Sequence, residues 1–323
     1  MSVTIYDIAS ACNVSIATVS RVLNNSSLVS AKTKEKVRAK MAEMKYNPNP
    51  FARGIGLDSM KLIGVVITDL MQYEQHQAVA LLSAAFQQEG YSLLVATLPE
   101  AGGEEALQRL LEKHIDALVL VSLPAKTDEF CQVLTEGAQR IPIMALHGMT
   151  LIPSLHTITS TTDAAITNVC KKLAKTGLKR PLYLYQGSSY EEEAYLALFR
   201  RISKSPKQLM RVSAHTPGHI QQALQKIQQS KAAIDAIITA TDTLAISAQQ
   251  ALQALSLPIP VISLVDSPLT EYAQITSLDT QVRAQCQTAA TQLLLQLQQK
   301  QAAVPIRTEF KATWIYRDSF PAP

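Results

Sequence analysis

The stretch from Thr4 to Asn25, TIYDIASACNVSIATVSRVLNN, contains two short amphipathic helical patterns separated by a polar break. Thr4 suits the N-cap of a first helix, and Ser15 suits the N-cap of a second helix from Ile16 to Leu23. Helical spacing puts Val19, Val22 and Leu23 on the inner face of the second helix and leaves Ile16, Ala17, Ser20 and Arg21 on its outer face. This pattern predicts a helix-turn-helix, whose second helix fits the major groove of DNA.

The residue types on the outer face suit that role. Arg21 can donate two parallel hydrogen bonds to O6 and N7 of a guanine, whereas Ile16 and Ala17 can make only apolar contacts, such as with a thymine methyl. Five residues can donate hydrogen bonds to DNA phosphates: Thr4, Ser15, Thr18 and Ser20 through their hydroxyls and Asn24 through its amide. Such contacts fix the position of the protein on the duplex but do not read its base sequence. On the alternative interpretation, the hydroxyl residues only cap helices and Arg21 is a solvated surface charge.

Four motifs resemble the DNA-binding segment of the LacI/GalR family of bacterial repressors: VTIYDIA, VSIATVSRVLN, VSxxT and YNPNxxAR. By that resemblance, Ile16, Ala17 and Arg21 occupy base-reading positions. The resemblance also implies phosphate contacts at Thr4, Tyr6, Ser15, Thr18, Ser20 and Asn24.

The segment PFARGI, residues 50–55, follows a cap residue, Asn49, but Gly54 and Gly56 weaken its helical pattern. In the family, the matching segment is a hinge helix that folds on DNA, pairs with its dimer mate and inserts an apolar side chain into the minor groove. The resemblance therefore predicts DNA contacts at Asn49 and Ala52 and a wedge at Ile55. A plain linker is the alternative.

Length and composition limit the classes of protein that fit. A chain of 323 residues with 47% hydrophobic residues predicts two or three packed domains. It has no apolar run of membrane-spanning length and no signal-peptide pattern at its start, so we expect a cytoplasmic protein. The four scattered cysteines form no C-x-x-C pair, which favours buried free thiols over a metal site or disulfides.

The positive charge is concentrated at the start of the chain. Residues 1–60 contain eight basic and four acidic residues, and the remaining residues contain 22 of each sign. The whole net charge of +4 therefore belongs to the segment predicted to bind DNA, as phosphate neutralisation requires.

From Leu62 onward, apolar runs of strand length alternate with helical patterns, beginning LIGVVI, QAVALLSAAFQQEG, YSLLVA. Such alternation predicts an α/β core with parallel sheets. The resemblance implies a periplasmic-binding-protein-like core of two doubly wound lobes, crossed near Thr159, Leu278 and Pro305. The expected domains are an all-α helix-turn-helix domain (1–46), a hinge helix and linker (47–60) and the effector-binding and dimerisation core (61–320). Within the core, lobe 1 spans about 61–159 and 281–304, and lobe 2 about 160–280 and 305–320.

Ligands of open α/β sheets bind beyond the carboxyl ends of the strands. The loops at those ends predict effector contacts at Asp69, His147, Gln186, Asp242 and Asp266, whose short polar groups suit a hydroxyl-rich ligand. For any one of them, strand-end capping is the alternative. ATDTLAISA, which contains Asp242, resembles the family's segment whose aspartate grips sugar hydroxyls.

Several segments are most similar to the trehalose repressors, which respond to trehalose 6-phosphate. Asp69, however, lies where those proteins carry a basic phosphate-binding residue, which favours a neutral sugar, and the arginine common after the strand PLYLY is missing. The effector class is therefore a sugar or a sugar phosphate, possible examples being trehalose and its 6-phosphate.

Three functions compete: a ligand-responsive DNA-binding regulator, a sugar-binding or transport protein without a regulatory role, and an enzyme on a doubly wound scaffold. A transport component would not carry the basic N-terminal domain. The sequence has no G-x-G-x-x-G, G-x-x-x-x-G-K-S/T or G-x-S-x-G motif, and we expect no enzyme activity, cofactor or metal. The favoured interpretation is a homodimeric repressor that binds a pseudo-palindromic double-stranded operator and a small-molecule effector, without membrane association.

Overall fold

The computed structural model describes residues 3–47, 59–99, 102–123, 127–146, 155–187, 190–202, 209–212, 216–229, 234–299 and 305–320. The chain divides into two compact units, residues 1–61 and 62–323. Four of the predicted contact residues lie outside the described ranges: Asn49, Ala52, Ile55 and His147.

In its described residues, 3–47 and 59–61, the first unit has the helices α1 (Ile5–Cys12), α2 (Ile16–Leu23) and α3 (Ala31–Glu43). The apolar positions at helical spacing form its small core, which consists of Ile8, Ala9, Cys12, Val19, Val22, Val37 and Met41. The α1–α2 pair has the helix-turn-helix arrangement that the sequence predicts, and α2 has the expected bounds.

The second unit contains two six-stranded sheets. The first has the order β11-β5-β4-β3-β1-β2, and its strands are β1 (Leu62–Ile67), β2 (Ser92–Thr97), β3 (Ala117–Leu120), β4 (Ile143–Ala145), β5 (His156–Ser160) and β11 (Arg307–Phe310). The second has the order β12-β10-β9-β8-β6-β7, and its strands are β6 (Pro181–Tyr185), β7 (Leu209–Arg211), β8 (Ala236–Thr239), β9 (Val261–Ser263), β10 (Thr276–Asp279) and β12 (Thr313–Ile315). Every pairing is parallel except that of β10 with β12.

Helices cover both faces of the sheets, so the central strands are buried and read as continuous apolar runs. Lobe 1, built on the first sheet, carries α4 (Tyr73–Gln88), α5 (Gly103–Leu111), α6 (Asp128–Ala138) and α12 (Val282–Gln299). Lobe 2, built on the second sheet, carries α7 (Thr162–Lys175), α8 (Tyr190–Ile202), α9 (Pro217–Gln229), α10 (Asp242–Ala254) and α11 (Pro268–Tyr272). The expected fold class, a helix-turn-helix domain with a doubly wound two-lobe core, is confirmed.

One lobe boundary differs from the expectation. Residues 305–320 were expected in lobe 2, but β11 pairs with β5 through Arg307–Thr157 to Phe310–Ser160, which places it in the sheet of lobe 1. The chain then enters lobe 2 with β12, which pairs with β10. The third crossing therefore lies after Phe310 and not near Pro305, because the alternating pattern RTEF gave no sign of which sheet it joins.

The four cysteines are free thiols in the structure. Cys12, Cys170 and Cys286 are buried, and Cys131 is half-buried. Burial raises the pKa of the Cys170 thiol to about 11. Burial, with a smaller contribution from the charge of Glu74, raises the pKa of Cys286 to about 12. Within the described residues, no helix is both long and apolar enough to cross a membrane.

Candidate DNA-binding surface and effector cleft

Side-chain caps fix both helices of the helix-turn-helix. The Thr4 hydroxyl accepts a hydrogen bond from the Asp7 backbone N–H, and the Asp7 carboxylate accepts from the Thr4 backbone N–H at 2.8 Å, which completes a capping box. Hydrogen bonds from Thr4 lower the pKa of Asp7, the bond from its backbone N–H by more than the bond from its hydroxyl. Ser15 caps α2 by accepting from the Thr18 backbone N–H at 3.1 Å. Asn13, at φ 49°, provides the turn between the helices.

The outward face of α2 carries the predicted base-reading residues. Ile16 is 41% exposed, and Ala17 and Arg21 are also exposed. Among the described residues, none forms a hydrogen bond or ion pair with the Arg21 side chain. An exposed isoleucine beside an arginine without a protein partner leaves an apolar contact and a pair of donors available to base edges in the major groove.

The predicted phosphate-contacting residues surround this face. Thr4, Tyr6 and Ser15 are exposed, Tyr6 by 67%, while Thr18, Ser20 and Asn24 are half-buried. The Thr18 hydroxyl also bonds the Ser15 hydroxyl at 2.9 Å. Capping therefore engages Thr4, Ser15 and Thr18 in the free protein. The Thr4 hydroxyl donates to the Asp7 carboxylate at 2.8 Å, and of the Ser15 and Thr18 hydroxyls one donates to the other, so only one of that pair keeps a proton to donate to a phosphate.

Helix α3 braces the turn that follows α2. Arg38 Nη2 donates to Asn25 Oδ1 at 3.1 Å, and Lys34 Nζ donates to the Asn25 carbonyl at 3.4 Å. Asn25 has φ 52°, a left-handed conformation that asparagine tolerates better than most residues. Two of the basic residues of α3 thus hold the turn, in addition to supplying charge.

In the core, the carboxyl ends of the second sheet bring predicted effector residues into one row. Asp242 follows β8 and opens α10, and its residue is only 2% exposed. Its Oδ1 accepts from the Thr243 backbone N–H at 2.8 Å. No other described residue is bonded to its carboxylate, so Oδ2 keeps its full acceptor capacity. A carboxylate in the first turn of a helix interacts favourably with the helix dipole.

Asp266, after β9, is more committed to the protein than Asp242 is. Its Oδ1 accepts from Arg317 Nη2 at 2.8 Å and from the Ser277 hydroxyl. Arg317 also donates to the Ile275 carbonyl at 2.9 Å. Asp266 is therefore part of an ion-paired network that joins β9, β10 and the segment after β12, and only its second oxygen remains for a ligand.

Two charged side chains hold the loop after β6, which contains Gln186. Arg211, at the end of β7, donates from Nε to the Gln186 carbonyl at 2.7 Å. The Gly187 N–H donates to the carboxylate of Glu192, a residue of α8 that is 3% exposed. Gly187 has φ 74°, which favours glycine.

On lobe 1, the loop after β1 is organised by a buried glutamine, Gln75. Its Oε1 accepts from the backbone N–H groups of Thr68 and Asp69, at 2.8 and 3.0 Å. Asp69 itself accepts from the Met71 backbone N–H at 2.8 Å through Oδ1. The Asp69 carboxylate thus caps a turn, as the capping alternative predicted, and its Oδ2 has no hydrogen-bond partner within the described chain.

Tyr73 links the two lobes electrostatically. Burial is the main cause of its raised pKa, and the negative charges of Asp266 and Asp242 add to the rise, whereas Arg283 and a hydrogen bond from Gln77 lower it. Tyr73 opens α4 of lobe 1, whereas in lobe 2 Asp242 opens α10 and Asp266 follows β9, so the charges of lobe 2 act on a side chain of lobe 1. Nearby, the Thr280 hydroxyl donates to Glu74 at 2.6 Å.

Comparison with known proteins identifies the family. Residues 4–49 match the model described as "Bacterial regulatory proteins, lacI family", and residues 170–320 match the periplasmic binding protein-like domain. An HTH-type transcriptional regulator of Lachnoclostridium phytofermentans is 32% identical over 87% of this chain and 89% of its own length. The chain belongs to the LacI family. It is a transcriptional regulator with a helix-turn-helix domain and a periplasmic-binding-protein-like core.

Other LacI-family proteins match over different shares of the chain. The lactose operon repressor of Escherichia coli is 40% identical over 36% of this chain and 34% of its own. A crystal structure of the lac repressor dimer bound to operator and the anti-inducer ONPF aligns over 100% of both chains, with a TM-score of 0.82 and 26% identity. Nothing in these matches singles out the trehalose repressors among the LacI family.

Sequence reasoning missed Tyr73, Arg211, Glu192 and Arg317. Tyr73 and Glu192 sit in helices, outside the strand-end loops that were searched. Arg211 ends a strand of only three residues, too short for its pattern to be read. Arg317 lies 51 residues from its partner Asp266, and no local pattern signals such a pairing.

Proposed function

We propose that this protein is a ligand-responsive repressor of a carbohydrate-utilisation operon. It acts in the cytoplasm as a homodimer on a pseudo-palindromic operator. The observation that carries the proposal is the outward face of α2, where Ile16, Ala17 and an unpaired Arg21 lie side by side in the unit that holds all of the excess positive charge. Residues 1–46 form the DNA-binding domain, 47–60 the hinge and linker, and 61–320 the core.

In this proposal, Arg21 reads a guanine, and Ile16 and Ala17 contact apolar base edges. Thr4, Tyr6, Ser15, Thr18, Ser20 and Asn24 contact phosphates, and Asn49, Ala52 and the wedge Ile55 act from the hinge segment. The lac repressor dimer bound to operator, to which the chain is similar, supports this assignment.

Dimer formation follows from the geometry of DNA recognition, because one recognition helix reads only a half-site. The core offers an apolar surface for the contact. On α11, Tyr272 is 91% exposed and Leu269 is 49% exposed. Large apolar side chains exposed to this extent on one five-residue helix favour a protein partner. A second copy of this chain is the partner that the symmetric operator requires.

The proposed effector is a sugar or sugar phosphate bound in the cleft, with Asp242 as its central contact and Asp69, His147, Gln186 and Asp266 around it. A buried carboxylate with one unshared oxygen can accept hydrogen bonds from two hydroxyls of a pyranose. The relative named lactose operon repressor supports a sugar effector. Trehalose and trehalose 6-phosphate are the first molecules to test.

The DNA-binding part is tested by selecting sites for the full-length protein from random duplex DNA, then footprinting and titrating with salt. We expect two half-sites related by a dyad. The affinity should fall by about 10³- to 10⁵-fold between 50 and 200 mM salt if six to ten phosphates are contacted. Tyr272→Asp should lower the sedimentation mass towards that of one chain. A salt-insensitive complex, or one monomer per duplex, would contradict the proposal.

The alternative kept from the sequence is a core that binds sugar without a regulatory role for that sugar. The buried Asp242 is compatible with it, because the carboxylate would accept sugar hydroxyls whether or not the ligand changes DNA binding by the first unit. One measurement separates the two. A sugar that binds the protein but leaves its operator affinity unchanged favours the alternative, and a sugar that shifts operator affinity excludes it.

A further inference from the structure

The carboxyl edge of the second sheet has opposite charges at its two ends. The strand order β9-β8-β6-β7 places Asp266, Asp242, the Gln186–Gly187 loop and Arg211 in succession along that edge. Two carboxylates therefore occupy one end of the row, and a guanidinium occupies the other. Neighbouring strands are about 4.8 Å apart, so the ends of β8 and β7 are separated by about 10 Å.

The protein fixes the position of the Arg211 guanidinium. Its Nε donates to the Gln186 carbonyl at 2.7 Å. Its plane also packs against Gly187, since a Cβ at that position would lie 3.2 Å from Nε and 3.4 Å from Cζ and Nη2. Gly187 in turn is held by the buried carboxylate of Glu192. Arg211 is exposed to solvent, and these contacts with its neighbours hold its guanidinium in one place.

This anchoring leaves one side of the guanidinium unused. Nη1 and Nη2 have no hydrogen-bond partner within the described part of the chain, and no carboxylate pairs with Arg211 there. The two terminal nitrogens form a planar fork that matches the oxygens of a phosphate or carboxylate. A fork held in place before binding loses little conformational freedom when a ligand arrives.

We propose that Arg211 binds an anionic group of the effector, so that the effector is a sugar acid or sugar phosphate long enough to reach from Asp242 to Arg211. Asp242 accepts the hydroxyls of one sugar unit, and Arg211 binds the phosphate or carboxylate at the far end. Hydrogen bonds of about 2.8 Å at each end leave roughly 5 Å between the bonded ligand atoms, a distance that one sugar ring with its anionic substituent can span. The inference rests on the sugar effector of the proposed function and names its charge.

The position of Asp69 is compatible with this arrangement. Asp69 belongs to lobe 1 and caps the turn before α4 through its bond with the Met71 N–H. The Asp69 carboxylate, which would repel an anion, is therefore on the other lobe from Arg211. An aspartate at position 69, in place of the basic residue of the trehalose repressors, removes one anion-binding side chain but leaves the guanidinium of Arg211 at the end of β7.

The test compares neutral and anionic partners on the full-length protein by titration calorimetry. The probe pairs are trehalose with trehalose 6-phosphate and cellobiose with cellobiouronate, which separate a phosphate from a carboxylate. Arg211→Gln removes the charge and the fork. Arg211→Lys keeps the charge without the fork. Arg201→Gln changes an exposed arginine of α8 in the same lobe and is the matched control.

We expect the wild type to prefer an anionic member of a pair. Arg211→Gln should weaken that member by about 10- to 100-fold and the neutral member by less than about threefold. Arg211→Lys should recover part of the loss, and Arg201→Gln should match the wild type. If Arg211→Gln weakens both members equally, Arg211 only positions the Gln186 carbonyl and the inference is wrong. Preference of the wild type for the neutral members also overturns it.

A different result would identify a failure of the proposed function itself. If no member of either pair binds the wild type or alters its operator affinity, the sugar effector is wrong, and the inference about Arg211 is lost with it. If only the neutral sugars bind, the proposal of a sugar effector is retained, and only the inference that Arg211 binds an anionic group is wrong.

Discussion

Asp242→Ala should abolish the response to the effector without disabling the repressor. In the free protein, the carboxylate accepts one hydrogen bond, from the adjacent Thr243 N–H, and lies in the first turn of α10. Replacing Asp242 by alanine therefore removes only a small stabilising contribution to the fold. The second carboxylate oxygen, by contrast, is available to a ligand. A residue with this imbalance is expected to matter for binding more than for stability.

The magnitudes follow from these contacts. A hydrogen bond to a charged group contributes about 1.5–3 kcal/mol, so the loss of two sugar hydroxyl contacts costs about 3–6 kcal/mol, or more than about 100-fold in affinity. Asp242→Asn keeps a neutral acceptor, and we expect it to lose about 2–3 kcal/mol, or roughly 30- to 150-fold. In Asp242→Ala, loss of the Thr243 hydrogen bond and of the helix-dipole interaction should lower the free energy of unfolding by about 1–2 kcal/mol. Removal of a buried charge partly offsets this loss.

The assay has three measurements on the same variants. Calorimetry gives effector affinity, anisotropy of a labelled operator gives DNA affinity with and without effector, and thermal unfolding gives stability. We expect a Tm within about 2–8 °C of the wild type and ligand-free operator affinity within a few-fold. Asp163→Ala is the control, because Asp163 also lies in the first helical turn of α7 in lobe 2 but is exposed.

Two outcomes would refute the reasoning. If Asp242→Ala binds the native ligand and responds to it like the wild type, the effector site lies elsewhere. If the variant fails to bind operator even without ligand while Asp163→Ala binds it, Asp242 is a structural residue, and its resemblance to sugar-gripping aspartates is misleading.

Arg21→Ala should cost about 1–3 kcal/mol on the preferred operator and much less on random DNA, as measured by competition binding, and an equal loss on both would make Arg21 a phosphate contact. Ile55→Gly should reduce operator bending in a circular-permutation assay if Ile55 is the wedge, and unchanged bending would leave its segment a linker. Gly64→Ala should lower unfolding free energy by about 1–3 kcal/mol, because its Cβ would lie 2.7 Å from Ile115 Cδ1; a wild-type Tm would show that the neighbours yield without cost. At pH 8 Cys286, with its pKa raised to about 12, should react with maleimide only on unfolding, and labelling of the native protein at the rate of an exposed thiol would contradict its burial.

Local sequence patterns predicted the elements whose signals are local. The bounds of α2 are those expected, since Ser15 starts it with a side-chain cap and the Asn24-Asn25 turn follows its end. The long apolar runs of β1, β3 and β8 predicted buried parallel strands for the same reason. Local patterns therefore predicted the helix-turn-helix and the parallel α/β core, whereas the two-lobe, periplasmic-binding-protein-like form of the core came from the family resemblance.

The rest depended on contacts that no local pattern encodes. Strand β5, HTITS, was missed because its polar residues are buried only once β11, about 150 residues later, pairs beside it. The ion pair of Asp266 with Arg317 was equally hidden, so the strand-end loops offered Asp266 as a ligand, and only the family resemblance of ATDTLAISA set Asp242 apart from it. The structure separates them, because only Asp242 is free of ion pairs within the described residues.

The position of Tyr73 bears on how a ligand in this cleft could act at a distance. A ligand shifts the balance between two lobe arrangements only through a difference in its affinity for them, so one that touches lobe 2 alone shifts nothing. The charges of Asp266 and Asp242 reach Tyr73, which belongs to lobe 1. If a sugar binds Asp242, contact of its hydroxyls with Tyr73 would supply the interaction with lobe 1 that such a shift requires. The Thr280–Glu74 hydrogen bond already joins the lobes near a crossing segment. A ligand would therefore act by changing the separation of the lobes across the cleft and not their connection at the crossing.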